Sequence, residues 1–397
     1  MPARKKVLIA AANNAEVPIL KLLKEVGFDT VTLSNREFDI GHKYSDESVI
    51  ADYSNAVEIE STFKKMNCDF LIPGSNDFSM IACAEVAEKF NLNGFDSLDV
   101  TKKIHYKDKL RNLQKKLSLP HPNFIVIGTD HDLSIPHDKI KKFPVIVKPV
   151  DMGGGKGVSI CRNYSELEYA VKKVRITSRK EEIIIEEFLV GSYHGISTII
   201  KNKKIIFSCH DDEYYWENKF LVGGTSYPSS MNSVVLQQIK SDIEKIAVEL
   251  ELSDGLLHVQ VINLGHSSVI SEVTRRTPGD LYLTFADKTS EYDYIPNSIY
   301  PYIGKKVKPS KLVDNGDLFY SRICLHPQKN GRIKEIDLTL FDRFIDETFI
   351  WMKPGEYIGD CENEKVGIVF FKFNNFTEMK RVISSFSHAE IVIMEDE

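Results

Sequence analysis

The chain has 397 residues, with 51 Lys and Arg against 57 Asp and Glu, a formal net charge of −6. At about 150 residues per domain there is room for two or three domains with cores of their own. Hydrophobic residues at 42% exclude a disordered or fibrous chain, and the acidic balance excludes a sequence-independent grip on nucleic acid, which needs a dominant basic face.

Arg4, Lys5 and Lys6 precede a short apolar run that Asn13, Asn14 and Glu16 end, too short for a signal peptide. No apolar stretch approaches the roughly 20 residues that span a bilayer, so a cytoplasmic location is expected. Cysteines at 68, 83, 161, 209, 324 and 361 form no C-x-x-C pair and no zinc-ligand spacing; they read as buried, reduced thiols.

Residues 5–12 read as a buried parallel strand, a continuous apolar run closed by a polar turn. A helix with Val17, Leu20, Leu22, Leu23 and Val26 stops at Gly27, and a second strand is predicted at 30–33. Asp69-Phe70-Leu71-Ile72-Pro73-Gly74 follows, and Ser75-Asn76-Asp77 opens a helix through Ala87. Alternating strand and helix signals over the first ~100 residues imply an open parallel sheet. Ala10-Ala11-Ala12-Asn13-Asn14 stands where a dinucleotide fold needs G-x-G-x-x-G, which argues against that cofactor. Loops at the C-terminal edge of such a sheet bind ligands, making Asn76 and Asp77 candidates for a substrate edge, with Asp77 as a plain helix cap the alternative.

A helix is predicted at 107–117, before Leu119-Pro120-His121-Pro122, then a strand at 143–149 leading into Gly153-Gly154-Gly155-Lys156-Gly157-Val158. A helix at 165–174 and a strand at 183–185 precede Glu186-Glu187-Phe188-Leu189 and Gly191. Strands at 196–200 and 204–208 form a hairpin, and the helix at 237–250 aligns Ile239, Ile243, Ile246 and Leu250 on one face. Strands at 255–263 and 268–274 meet at Gly265; the last ~100 residues mix strands and helices, including 366–373 and 376–386.

Successive glycines let backbone N–H groups turn toward phosphate oxygens with no Cβ in the way. The run at 153–157 is no P-loop, because Val158 rather than Ser or Thr follows, and a bare glycine loop is more often a surface turn. Lys148 at the end of the preceding strand and Lys107 on a helix add two cations, and the set becomes a clamp for a polyphosphate. Glu186-Glu187-Phe188-Leu189 is alone an ordinary strand end; as a hinge it presents a C=O and an N–H to a flat heterocycle. Glu272 sits mid-strand ahead of Arg275-Arg276-Thr277-Pro278-Gly279, and a carboxylate there is exposed, paired with Arg275, or metal-bound.

The order of these features is more specific than any one of them. Basic helix, strand-end Lys, Gly-rich loop, Glu-Glu-Phe-Leu hinge and Glu…Arg…Gly on adjacent strands together resemble the ATP-grasp superfamily. Within it the likeness is to carboxylate–amine ligases, including the L-amino acid ligases and D-alanine–D-alanine ligase. The resemblance implies an α/β (α+β ATP-grasp) architecture: an N-terminal open parallel sheet at 1–105, a small subdomain with the Gly-rich loop at 106–190, a large subdomain with the metal site at 191–300, and a C-terminal mixed α/β region at 301–397. It implies ATP and Mg2+ as cofactors. Lys107, or Lys109 in its place, and Lys148 would hold the phosphates under Gly153, Gly154, Gly155 and Gly157. Glu186, Glu187, Phe188 and Leu189 would hold adenine, through the Glu186 side chain and the backbone of Glu187 and Leu189. Arg276 would be catalytic, steadying the transferred phosphoryl group, and Glu272 would bridge magnesium.

Three positions depart from the family pattern. Gln260, in His258-Val259-Gln260, stands where relatives place a second metal carboxylate and offers an oxygen without charge. Thr274 replaces a frequent Asn at the metal. Gly191-Ser192-Tyr193 replaces a Gly-x-Glu that grips ribose, leaving the sugar to Tyr193 or His194. The implied activity is ATP-dependent ligation of a small carboxylate, an amino acid or related metabolite, to an amine through an acyl-phosphate. The alternatives are an ATP-binding protein with weak or lost catalysis and a biotin carboxylase-like subunit. The expected partners are the two small-molecule substrates and a second copy of the chain, with neither nucleic acid nor membrane. Asp211, Asp212, Tyr214, Tyr215 and Trp216 form either a wall of the acceptor pocket or a hairpin flank. The whole reading requires Lys148 and Glu272 to face one cleft between two β-layers.

Overall fold

The computed structural model describes residues 4–128, 135, 137–180, 182–216, 218–309 and 318–395. Strands β1 (Lys6–Ala10), β2 (Asp29–Ser34), β3 (Glu47–Ile50) and β4 (Phe70–Pro73) pair in parallel in the order β3-β2-β1-β4. Val7, Leu8, Ile9 and Ala10 are fully buried, as a parallel sheet between helices requires. The covering helices include α1 (Val17–Glu25), α2 (Ala56–Lys65) and α3 (Asp77–Phe90). Asn76, not Asp77, caps α3: its side chain accepts the Phe78 N–H at 2.9 Å. The cap alternative for Asp77 therefore falls away.

Helices α4 (Leu98–His105) and α5 (Lys107–Lys116) lead to a second sheet. There β5 (Phe124–Ile127), β6 (Val145–Pro149), β7 (Ser159–Cys161) and β8 (Ile183–Glu187) are antiparallel in the order β5-β8-β6-β7. Helix α6 (Tyr164–Thr177) buries Leu167, Ala170, Val171 and Val174 with Val145, Val147, Ile183 and Ile185.

The remaining elements are β9 (Ser192–Lys201), β10 (Lys204–Tyr214), β11 (Gly224–Tyr227), α7 (Ser233–Glu249), β12 (Gly255–Asn263), β13 (Ser268–Thr274), α8 (Tyr282–Lys288), α9 (Tyr294–Ile299), β14 (Phe319–Leu325), β15 (Gly331–Ile336), β16 (Ile345–Ile350), β17 (Tyr357–Ile358), β18 (Gly367–Phe373), α10 (Phe376–Phe386) and β19 (Val392–Met394). Eight of these strands form one antiparallel sheet, β13-β12-β9-β10-β11-β14-β18-β16, and β17-β15-β19 form a small third one. Three strands from beyond residue 301 thus extend the same sheet as β9–β13.

Alternation along the large sheet sorts its side chains. Ile196, Ile200, Leu257, Val259 and Ile270 pack with Ile239, Ile243 and Ile246 of α7. The other face presents Tyr193, Glu213, Thr225, His258, Gln260 and Glu272 to a cavity. Strand β10 runs six residues beyond the predicted 208, because β11 pairs with residues 212–214 and carries the ladder on. Cysteines 68, 83, 161, 209 and 324 are buried, and no described helix is long and apolar enough to cross a membrane.

Candidate active site

A cavity of about 690 Å3 opens between the small and large sheets, a size typical of small-molecule sites. Lys148 on β6 and Glu272 on β13 both line it, from opposite layers. So do Lys107, Gly153, Gly154, Gly155, Glu186, Glu187, Phe188, Leu189, Tyr193, Gln260, Thr274 and Arg276. Gly157 completes the loop at φ 73° without facing the cavity, and Gly154 and Gly155 also lie at positive φ, 65° and 70°, where a Cβ would be strained. The loop is tightly held: a Cβ on Gly153 would sit 2.5 Å from Asp77 Oδ2, and one on Gly155 2.5 Å from Phe220 Cβ.

His194 is a correction. Successive β9 residues face opposite ways, so Tyr193 reaches the cavity and His194 does not. Its ring is buried against Ser192 Oγ (2.7 Å), Ser229 Oγ (3.0 Å) and Asp212 Oδ1 (2.9 Å), which removes it as a sugar contact. The same alternation divides the 211–216 segment between the two alternatives, pocket wall and hairpin flank. Among those named, only Tyr215 lines the cavity; Asp212 and Tyr214 are held by Lys380 of α10, and Trp216 packs on Tyr214 and Phe386.

Helix α5 opens with Lys107, whose Nζ donates to Met152 O at 2.6 Å and lies 3.3 Å from Glu272. Lys109 instead lies over the Tyr106 ring, outside the cavity lining, so geometry selects Lys107. One turn on, Arg111 is 1% exposed and donates to Glu186 Oε1 (2.6 Å) and Ser271 O (2.8 Å). Lys148 takes the other Glu186 oxygen at 2.7 Å. The Glu186 carboxylate, expected at adenine, is thus already bound by two cations and fixes the position of the Lys148 ammonium. Burial pushes that carboxyl up, but Arg111 and Lys148 outweigh it and hold the pKa at about 2.

Arg275 and Arg276 point into different structures. Arg275 is buried on Asp96 (2.8 Å) and the carbonyls of Leu256 and Ser253, so it is not the partner of Glu272. Arg276 lines the cavity, with Nε 2.9 Å from Asp77 Oδ1, an oxygen that also meets His105 Nδ1 at 2.9 Å. Burial raises the Asp77 carboxyl; Arg276 and His105 more than reverse this and leave it well below the usual range.

Hard oxygen donors gather near Glu272. The described residues contain no group of three or more His, Cys, Asp or Glu able to hold a metal unaided. Gln260 pairs across the ladder with Glu272 and donates through Nε2 to Glu213 at 3.0 and 3.1 Å. A register shift beside Gln260 leaves Ser271 as an extra residue and turns both Ser271 and Glu272 to the cavity, a common use of a bulge. Burial lifts the Glu213 carboxyl despite bonds from Gln260 and Tyr215, and Glu272 adds to the lift. Two acids facing one space, one of them with no ion-pair partner among the described residues, fit a divalent cation whose other ligands are phosphate oxygens.

Residues 113–254 match the family model described as D-ala D-ala ligase C-terminus. The D-alanine–D-alanine ligase of Fusobacterium nucleatum subsp. nucleatum is 35% identical over 140 residues, 32% of this chain and 48% of that protein. An L-amino acid ligase structure from Bacillus licheniformis superposes over 100% of both chains with a TM-score of 0.80 at 16% identity, which establishes the fold. The chain shares the fold of that ligase over its whole length, and residues 113–254 carry the matched family region. The formate-dependent phosphoribosylglycinamide formyltransferase of Prochlorococcus marinus (strain MIT 9515) is 23% identical over 286 residues, 69% of this chain and 70% of that one. Sequence reading had not singled out Arg111, Glu213, His258 or Arg322, which also line this cavity. Only Glu213 carried a local signal, the period-two pattern Asp211, Glu213, Tyr215.

Proposed function

We propose that this chain joins a small carboxylate, an amino acid or related metabolite, to an amine through an acyl-phosphate, releasing ADP and phosphate. The observation that carries the reading is the convergence of Lys107 from α5, Lys148 from β6, and Glu272 and Arg276 from β13 and the turn after it, on one cavity. A carboxylate is a poor acyl donor because its leaving group would be oxide. Transfer of the γ-phosphoryl group to a carboxylate oxygen replaces oxide with phosphate; the amine nitrogen then attacks the acyl carbon and phosphate departs. Such transfer asks the protein for positioning and charge neutralisation.

Lys107 and Lys148 neutralise the phosphates under the loop 153–157, and Glu187 to Leu189 border adenine. Glu272, Gln260 and Thr274 face the magnesium, which when bound neutralises phosphate charge. Arg276 stabilises charge on the transferred phosphoryl group. Tyr193 packs beside the ribose. The loop pressed between Asp77 and Phe220 excludes water that would hydrolyse the acyl-phosphate. In this assignment units 106–190 and 191–300 enclose the nucleotide, 1–105 supplies Asp77, and 301–397 supplies Arg322.

Incubation with ATP, magnesium and pooled amino acids is expected to give amine-dependent ADP release. Lys148→Met is expected to raise the KM for ATP about 10- to 100-fold, the value of a charge-assisted hydrogen bond. ATP binding without ADP release in any carboxylate and amine pool overturns the reading.

A further inference from the structure

On the face of the large sheet turned away from the cavity, three side chains stand in a row of hydrogen bonds that ATP-dependent ligation does not use. Strand β9 puts Ser192 and His194 on that face, and β10 puts Asp212 directly across the ladder from His194. Ser192 Oγ lies 2.7 Å from His194 Nε2, and His194 Nδ1 lies 2.9 Å from Asp212 Oδ1. Ser192 is exposed, while His194 and Asp212 are buried.

The partners fix where each proton sits. Asp212 receives donors at both oxygens: Ser229 Oγ (2.9 Å), Ser230 N (2.8 Å) and Ser230 Oγ (3.1 Å) at Oδ1, and Lys380 Nζ (2.6 Å) at Oδ2. A carboxylate so held accepts and does not give, so the proton between it and His194 belongs to Nδ1, which also meets Ser229 Oγ at 3.0 Å. Nε2 then accepts from the Ser192 hydroxyl. A nucleophile on a base, with the base held in one tautomer by an ionised third group, is the arrangement that activates a serine.

A donor for an oxyanion stands beside it. Asn263 of β12 lies directly across the ladder from Ser192, and the strands approach closely enough that a Cβ on Gly191 would sit 2.3 Å from Asn263 O. Opposed residues share a face, with Cβ atoms about 5 Å apart. Asn263 Oδ1 is taken by Gly265 N (3.0 Å) and Ser268 Oγ (3.4 Å), which leaves Nδ2 without a partner among the described residues.

We propose that Ser192, His194 and Asp212 form a second active site, one that hydrolyses small carboxylic esters without ATP. Ser192 Oγ attacks the acyl carbon and its proton passes to His194 Nε2; the Oγ–C bond forms, the ester C–O bond breaks, and the alcohol leaves with that proton. Water then attacks the acyl-serine and gives a proton to Nε2; the Oγ–C bond breaks, the carboxylic acid departs, and Ser192 recovers its hydrogen. Asn263 Nδ2 meets the oxyanion in both steps. Asp212 is a positioning residue, and the exposed strand end suits a short acyl chain.

The wild-type protein, without nucleotide, is treated with diisopropyl fluorophosphate, which forms an Oγ–P bond on an activated serine and loses fluoride. Peptide mass spectrometry is expected to find the label on Ser192. Hydrolysis of p-nitrophenyl acetate is expected to fall about 100-fold in kcat/KM in Ser192→Ala and in His194→Gln. No label on Ser192, or hydrolysis undiminished in Ser192→Ala, overturns the inference. The label reads the wild type directly, so it decides even if the buried His194 does not tolerate substitution; Ser192→Ala alters an exposed side chain, and its unfolding midpoint shows that it is folded. Failure of the ligase reading is distinct: it shows as absent ADP release, and neither of these measurements contains ATP.

Discussion

Arg276→Gln is expected to lower kcat by about 10²- to 10³-fold, the usual loss when one preorganised donor to a charged transition state is removed. The KM for ATP should stay within about threefold, because the lysines hold the ground-state phosphates and Arg276 acts where charge is redistributed. Its preorganisation is visible. Nε is fixed on Asp77 and Nη1 on Thr277 O, and the Asp77 carboxyl, held far below its ordinary value, stays ionised throughout the working pH range. The side chain therefore waits in position, and little reorganisation accompanies the chemical step. Steady-state kinetics on the identified substrates decide the matter. An unchanged kcat with a raised ATP KM would move Arg276 from the transition state to the ground-state nucleotide.

Much of this site was legible in the sequence because its parts are short and local. The glycine run, the strand-end Lys148 and the strand-borne Glu272 announce themselves through residue type and neighbours, and the apolar runs that fix β6, β8, β12 and β13 orient them. What the sequence left open was pairing across distance. Arg275 and Arg276 are adjacent and chemically identical, yet one is consumed by Asp96, in the connection between α3 and α4, and the other reaches Asp77, at the start of α3. Glu272 reads as a partner for Arg275 until the structure brings Lys107 to 3.3 Å. His194 was misplaced because a strand extended to Ser192 turns it away from the cavity, and the predicted strand began at 196. Arg322 lies in a region with no motif, and only the ladder between β11 and β14 brings it to the cavity.

The Glu186 cluster was read for its place beside adenine, and its physical weight lies elsewhere. Glu186, 2% exposed, neutralises Arg111 and Lys148 together, so Glu186→Gln leaves two largely buried cations without their carboxylate. Breaking a buried pair in this way costs about 3–5 kcal/mol. The pKa gives an independent value: holding the carboxyl at about 2 against an ordinary 4.5 corresponds to about 3 kcal/mol. Its sign is fixed by the depression. The contribution is complete above pH 4.5 and is lost as pH falls toward 2, where the wild-type carboxyl takes up a proton. Urea unfolding of wild type and Glu186→Gln should therefore differ by about 3 kcal/mol at pH 7, with the gap narrowing steadily below about pH 4.5. A gap that is the same at pH 7 and pH 3.5, or one below about 1 kcal/mol throughout, would mean that Arg111 and Lys148 are satisfied without this carboxylate. The Ile270 and Ser271 carbonyls, which Arg111 also reaches, would then be sufficient, and Lys148 would owe its position to β6 alone.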